Sequence, residues 1–199
     1  MKRVPAALVV LRALCAPALL VIAAGGGAGE LLVVLLTLAF LSDVFDGIIA
    51  RRIGVATEKL RRADTIVDTG FYVCAAVVLC VRAPGVIAAY AVGIVAVVGL
   101  EVARWVLERM KYGRLASYHM WSAKAWGITL WLGFSEAFLT GPPGPFIPAA
   151  VVMGIIADVE GLLASLVLST WRHDIRTIWH ALQIERSNRG AADEADAAR

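Results

Sequence analysis

DVFDGIIARRIGVATEKLRRADTIVD, residues 43–68, carries four aspartates into a chain that otherwise reads as membrane-spanning helix. Asp43 and Asp46 close one apolar run, Asp64 and Asp68 open the next, and Arg51, Arg52, Arg61 and Arg62 lie between them. Residues three or four apart share a helix face, so each pair of acids forms one surface. At about 1.5 Å of rise per residue, Asp46 lies roughly 9 Å inward from Arg52 and Asp64 roughly 6 Å inward from Leu60. If the two helices are neighbours, the four carboxylates meet at one level. One Asp at the centre of a spanning helix costs about 2.5–3.5 kcal/mol on insertion scales, so something positive must sit among them. Two divalent cations would balance four carboxylates, whose oxygens are the ligands that Mg²⁺ and similar hard cations prefer. The arginines are competing counter-charges, but at the mouth they are placed to meet an incoming phosphate. Gly47 and Ala50 remove bulk beside Asp46. Solvated loop acids, ion pairs bracing a hairpin, and a cation or proton path are the other readings of such a cluster.

The rest of the chain sets this cluster in a membrane. Of its 199 residues 60% are hydrophobic and 18% charged, and the mean hydropathy is +0.76, whereas a soluble domain has about half its residues apolar and about a quarter charged. Six apolar segments, 6–25, 31–52, 63–82, 86–108, 117–140 and 146–170, are each near the ~20 residues that cross a bilayer as helix. GGGAGE, RAPG and TGPPGP are short links with Gly or Pro, and RRIGVATEKLRR and ERMKYGR are basic. Of the 19 Lys and Arg residues only Arg82 falls near the first set. With Lys2 and Arg3 at one end and Arg172, Arg176, Arg186, Arg189 and Arg199 at the other, the positive-inside rule puts both termini in the cytoplasm. The opening MKR and its apolar run are read as a first span and not a signal peptide, because Arg12 interrupts the run and Pro5 precedes it.

The expectation is an all-α integral membrane protein of six transmembrane helices. RHDIRTIWHALQIE, from residue 172, spaces Ile175, Ile178, Trp179 and Leu182 as an amphipathic helix lying on the inner surface. Residues 1–184 form a single membrane domain and 185–199 a polar, disordered tail. Cys15, Cys74 and Cys80 lack metal-ligand spacing, and no nucleic-acid partner is expected.

The spacing of the acids resembles the signature of the CDP-alcohol phosphotransferase (CDP-alcohol phosphatidyltransferase) family: DxxDGxxAR, eight residues, Gly, three residues, Asp, three residues, Asp. Asp43, Asp46, Gly47, Ala50, Arg51, Asp64 and Asp68 fall at signature positions, and Leu60 stands where the family has glycine. VPAALVVLRALCAP is similar to the family's N-terminal segment through Val4, Pro5, Arg12 and Pro17, with Ala6 and Val9 where Asn and Thr are common. Lys124 in WSAKAW resembles a lysine of the fifth span.

The resemblance implies a phospholipid-synthesis enzyme, in a bacterial cytoplasmic membrane, in which an acceptor hydroxyl attacks the lipid-side phosphorus of a CDP-linked lipid such as CDP-diacylglycerol and releases CMP. It implies Asp43, Asp46 and Asp64 as ligands of two Mg²⁺ or Mn²⁺ ions, with Asp68 closing the metal site and serving as general base. It places Asp46, Gly47, Ala50, Arg51 and Thr57 in the CDP pocket, and makes a homodimer plausible. Glycerol 3-phosphate is the first acceptor to expect, then inositol phosphate or phosphatidylglycerol. A phosphate on the acceptor calls for cations, and Arg104 and Lys124, set in apolar surroundings, come before Arg109, Lys111 and Arg114. Leu60 could block close approach of the nucleotide to backbone, which glycine would allow, leaving a non-catalytic metal-binding relative; a cation transporter is the second alternative. Asp158 and Glu160 sit mid-span and need partners such as a buried Arg or Ser.

Overall fold

The computed structural model describes the backbone of residues 4–54, 57–116, 118–141 and 144–197, and within these not the side chains of 51, 58, 59, 61, 62 and 191–197. Among the described residues the regular structure is helical throughout: α1 (Val4–Ala24), α2 (Gly29–Arg52), α3 (Glu58–Arg82), α4 (Pro84–Tyr112), α5 (Trp121–Thr140), α6 (Phe146–Val167) and α7 (Ile178–Ala197). Local chemistry sets the ends. Thr57 caps α3 by accepting the Leu60 N–H at 3.3 Å, Pro84 opens α4 where a missing N–H costs nothing, and Gly113 and Gly141, at φ +71° and +75°, follow the last turns of α4 and α5.

Five helices, α1 to α4 and α6, are long and apolar enough to cross a membrane. The sixth expected span, α5, has the length, at 20 residues, but Lys124, Glu136 and three tryptophans make it less apolar. The seventh helix continues to Ala197 through most of the segment expected as a disordered tail; its alanines favour helix without needing a docking partner. Ile175 and Ala181 are buried in a cluster with Tyr118, Met120, Ala164 and Leu168, against which Ile178 packs, while Trp179 is 72% exposed.

The chain divides into two compact units, 1–89 with 130–147 and 90–129 with 148–199. In the first, α1 packs against both α2 and α3, which touch each other much less. Its buried stripe is Val9, Arg12, Cys15, Leu19 and Ala23. The matching stripe of α2 is Leu32, Leu36, Ala39, Ser42, Asp46 and Ala50, and α3 buries Phe71, Ala75 and Val78, on the face that Asp64 and Asp68 share by spacing. The second half of α5 closes this unit: Trp131 stacks on Phe40 at 5.5 Å and donates to the Thr37 hydroxyl at 3.0 Å. Glu136 accepts the Phe146 N–H at 3.1 Å, at the start of α6.

The second unit is built on close helix approach and a polar seam. A Cβ on Gly93 would fall 2.5 Å from Val151, one on Gly154 2.9 Å from Trp126, and one on Gly161 2.9 Å from the Arg104 stem, the small-residue packing that membrane helices favour. Glu108 is fully buried; it accepts the Ala116 N–H at 2.8 Å, the Ser165 hydroxyl at 3.0 Å and Arg104 Nη1 at 3.3 Å. Lys111 and Tyr112 donate to the carbonyls of Ser165, Leu166 and Leu168 at 2.8–2.9 Å, satisfying acceptors that the end of α6 leaves open.

Candidate functional site

The aspartates meet around a residue that the sequence reading did not pick out as their counter-charge. Because α1 runs between α2 and α3, the buried stripe of α1 brings the Arg12 guanidinium, 1% exposed, among all four. Its Nη1 lies 3.3 Å from Asp43, 2.8 Å from Asp64 and in contact with Asp68, while Nη2 meets Asp46. Nε donates to the Ser42 hydroxyl at 3.3 Å, and that hydroxyl donates to the Ala39 carbonyl at 2.7 Å. Arg12 is thus held by charge on one side and by the α2 backbone, through Ser42, on the other. The signal was in the sequence: a lone Arg in the middle of an apolar span needs an acidic partner.

The four acids are not equivalent. Asp43 is the most open, at 45% exposure, and Asp46 the most enclosed, at 6%, with Asp64 and Asp68 between them. Asp43, Asp64 and Asp68 each offer an oxygen within 4.8 Å of the others. That donor set fits a hard divalent cation; Asp46 stands apart from the trio on the second guanidinium nitrogen. Among the described residues four carboxyl groups face one guanidinium, so acid outnumbers base there and the donor set has room for further positive charge.

Of the residues expected around the nucleotide, Ala50 is buried and Gly47 half-buried on α2. Thr57 spends its side-chain oxygen on the cap of α3, and Leu60, half-buried, supplies the N–H it accepts. The side chains of Arg51, Arg61 and Arg62 lie outside the described residues.

The two acceptor candidates belong to the other unit. Arg104 binds Glu101 at 2.6 and 2.7 Å and Glu108 at 3.3 Å, so its charge is already matched within α4. Lys124 is exposed with its ammonium 4.3 Å from the Trp121 ring centroid. Glu160 has the serine partner expected for it: Oε2 accepts the Ser122 hydroxyl, and Oε1 accepts the Ile178 N–H at 3.0 Å, capping α7. Asp158 is 2% exposed, with Oδ2 lacking a hydrogen-bond partner among the described residues. Glu108, the best-connected buried acid of this unit, was missed because a single Glu near a basic helix end looks solvated.

Comparison with known proteins gives one finding at the level of family. No curated protein and no solved structure matches the chain. Residues 2–173, which take in Arg12 and all four aspartates, match the family described as CDP-alcohol phosphatidyltransferase, and the chain therefore belongs to that family.

Proposed function

We propose that this protein is a membrane enzyme of phospholipid synthesis that transfers a phosphatidyl group from a CDP-linked lipid such as CDP-diacylglycerol to an alcohol acceptor, first of all glycerol 3-phosphate, releasing CMP. The observation that carries the reading is the convergence of Asp43, Asp64 and Asp68 within 4.8 Å, from the spacing that marks the family. The chain works in the bacterial cytoplasmic membrane as a single domain of six spans, counting α5, with both termini in the cytoplasm; the basic links and ends support that orientation.

Asp43, Asp64 and Asp68, with Asp46 behind them, would hold two Mg²⁺ or Mn²⁺ ions. Bound there, such ions polarise the pyrophosphate and stabilise the leaving phosphate. The residues of the chain do the rest. Gly47 and the small Ala50 leave room for the nucleotide along α2, with Arg51 and Thr57 at its edge. Asp68 accepts the proton of the acceptor hydroxyl as that oxygen bonds to the lipid-side phosphorus. The bond from this phosphorus to the bridging oxygen breaks, and CMP leaves with the electron pair. Positioning supplies most of the acceleration in such transfers. Arg104 and Lys124 are proposed contacts of the acceptor phosphate, and for Arg104 that role requires release from Glu101 or Glu108.

Leu60 favours a second reading, a metal-binding relative without catalysis, since its half-buried side chain stands at the position of the family glycine. The test is CMP release by purified protein in detergent with CDP-diacylglycerol, Mg²⁺ or Mn²⁺ and a panel of acceptor alcohols. Acceptor-dependent CMP that vanishes with chelator and in Asp68→Asn is the expected result. No CMP with any acceptor, from protein that binds metal, would leave the non-catalytic reading.

A further inference from the structure

We infer that Arg12 is the built-in counter-cation of the aspartate cluster and competes with divalent metal for its oxygens, so that this residue sets the metal affinity of the site. The inference rests on the metal-dependent reading above. The three carboxylates that Nη1 faces, Asp43, Asp64 and Asp68, are the same three whose oxygens converge for a cation. A guanidinium fork can serve several carboxylates at once because its donors point in fixed, divergent directions. The Ser42 contact and the 1% exposure fix it there, so it is not a surface charge that swings away into water.

Two consequences follow from this geometry. Arg12 lets the three helices close around four acids without metal, and its charge opposes a dication entering the same space. Removing the charge should therefore weaken the metal-free fold and tighten metal binding together. A role confined to packing would do only the first. Loss of a true ligand, as in Asp64→Asn, would do the opposite to affinity.

The experiment uses the full-length protein in detergent and titrates Mn²⁺ while the free ion is read by electron paramagnetic resonance. Wild type, Arg12→Gln and Arg12→Lys are compared, with thermal melts taken without metal and at saturating Mn²⁺. A full charge about 4 Å away is worth more than a factor of ten even at an effective dielectric near 20, so Arg12→Gln should half-saturate at least about tenfold lower in Mn²⁺. Arg12→Lys, which keeps the charge, should stay near wild type. The metal-free melting temperature of Arg12→Gln should fall and be restored by Mn²⁺. If Arg12→Gln binds Mn²⁺ no more tightly than wild type, or fails to fold even with Mn²⁺ present throughout purification, the inference is overturned. A wild type that binds no Mn²⁺ would overturn the metal-dependent reading along with it.

Discussion

Replacing Glu108 by alanine tests how far the second unit depends on one buried carboxylate. In the structure that carboxylate accepts the Ala116 N–H at 2.8 Å, the Ser165 hydroxyl at 3.0 Å and Arg104 at 3.3 Å. Arg104 keeps Glu101 at 2.6 Å and is not stranded, and Ser165 can still pair with the Tyr118 hydroxyl at 2.9 Å. The loss falls mainly on the two neutral donors. Hydrogen bonds to a charged group are worth about 1.5–3 kcal/mol each, and the retained Tyr118 contact trims the second, so about 3–4 kcal/mol should go. For a chain of this size that corresponds to a fall of roughly 6–16 °C in melting temperature. Glu108→Gln, which keeps one carbonyl acceptor, should lose about half as much. The assay is a thermal melt in mild detergent followed by intrinsic tryptophan fluorescence. If Glu108→Ala melts within about 2 °C of wild type, the change expected of an ordinary surface substitution, the seam is not what holds these helices.

Other outcomes follow from the same packing. Gly154→Val places a side chain where Trp126 lies 2.9 Å and Val97 3.1 Å away, and should cost about 1–3 kcal/mol by overpacking. Gly99→Ala, with nothing within 4 Å of the new Cβ, should be neutral or slightly stabilising in the same melt; equal losses would discredit the close approach. Near the start of α7, the backbone N–H and then the hydroxyl of Ser169 hold the Glu185 carboxyl below its ordinary value of 4.5. A depressed carboxyl contributes fully above that value and is lost as pH falls through its lower folded value. Docking of α7 should therefore hold at neutral pH and loosen in acid, seen as a Trp171 and Trp179 fluorescence change. Glu185→Gln should remove that component, and an identical acid profile for both proteins would count against the contact.

How much of this could be read in advance depends on whether the cause is local. The pairing of Asp43 with Asp46 and of Asp64 with Asp68 is a matter of helical period, and the structure keeps each pair on one face. The helices follow from apolar runs with Gly, Pro and Thr at their ends. Arg12 was legible as an anomaly but not as a partner, because partnership depends on α1 lying between α2 and α3, and nothing in a single sequence states which helices pack. Arg104 follows Glu101 by three residues and precedes Glu108 by four, a spacing that pairs charges on a helix, so its local partners are legible in the sequence alongside the apolar surroundings that suggest an acceptor phosphate. Ile175 and Ile178 pack as their spacing leads one to expect, and the buried side also runs through Ala181, whose size admits close packing on Ala164 and Leu168.

The position of Arg12 also bears on how the chain enters a bilayer. The first helix leaves the ribosome before the acids that match it in the fold, since Asp46 follows by 34 residues and Asp68 by 56. A lone Arg at the centre of a span costs about 2.5–3.5 kcal/mol on insertion scales, and in this chain the cost persists until the following helices arrive. The expected outcome is joint integration, in which α1 supplies the cation that α2 and α3 lack and they supply the acids that it lacks. A reporter fusion ending after α1 should integrate less completely than one ending after α3, and Arg12→Leu should erase the difference; equal integration of the two wild-type fragments would show that α1 needs no later partner.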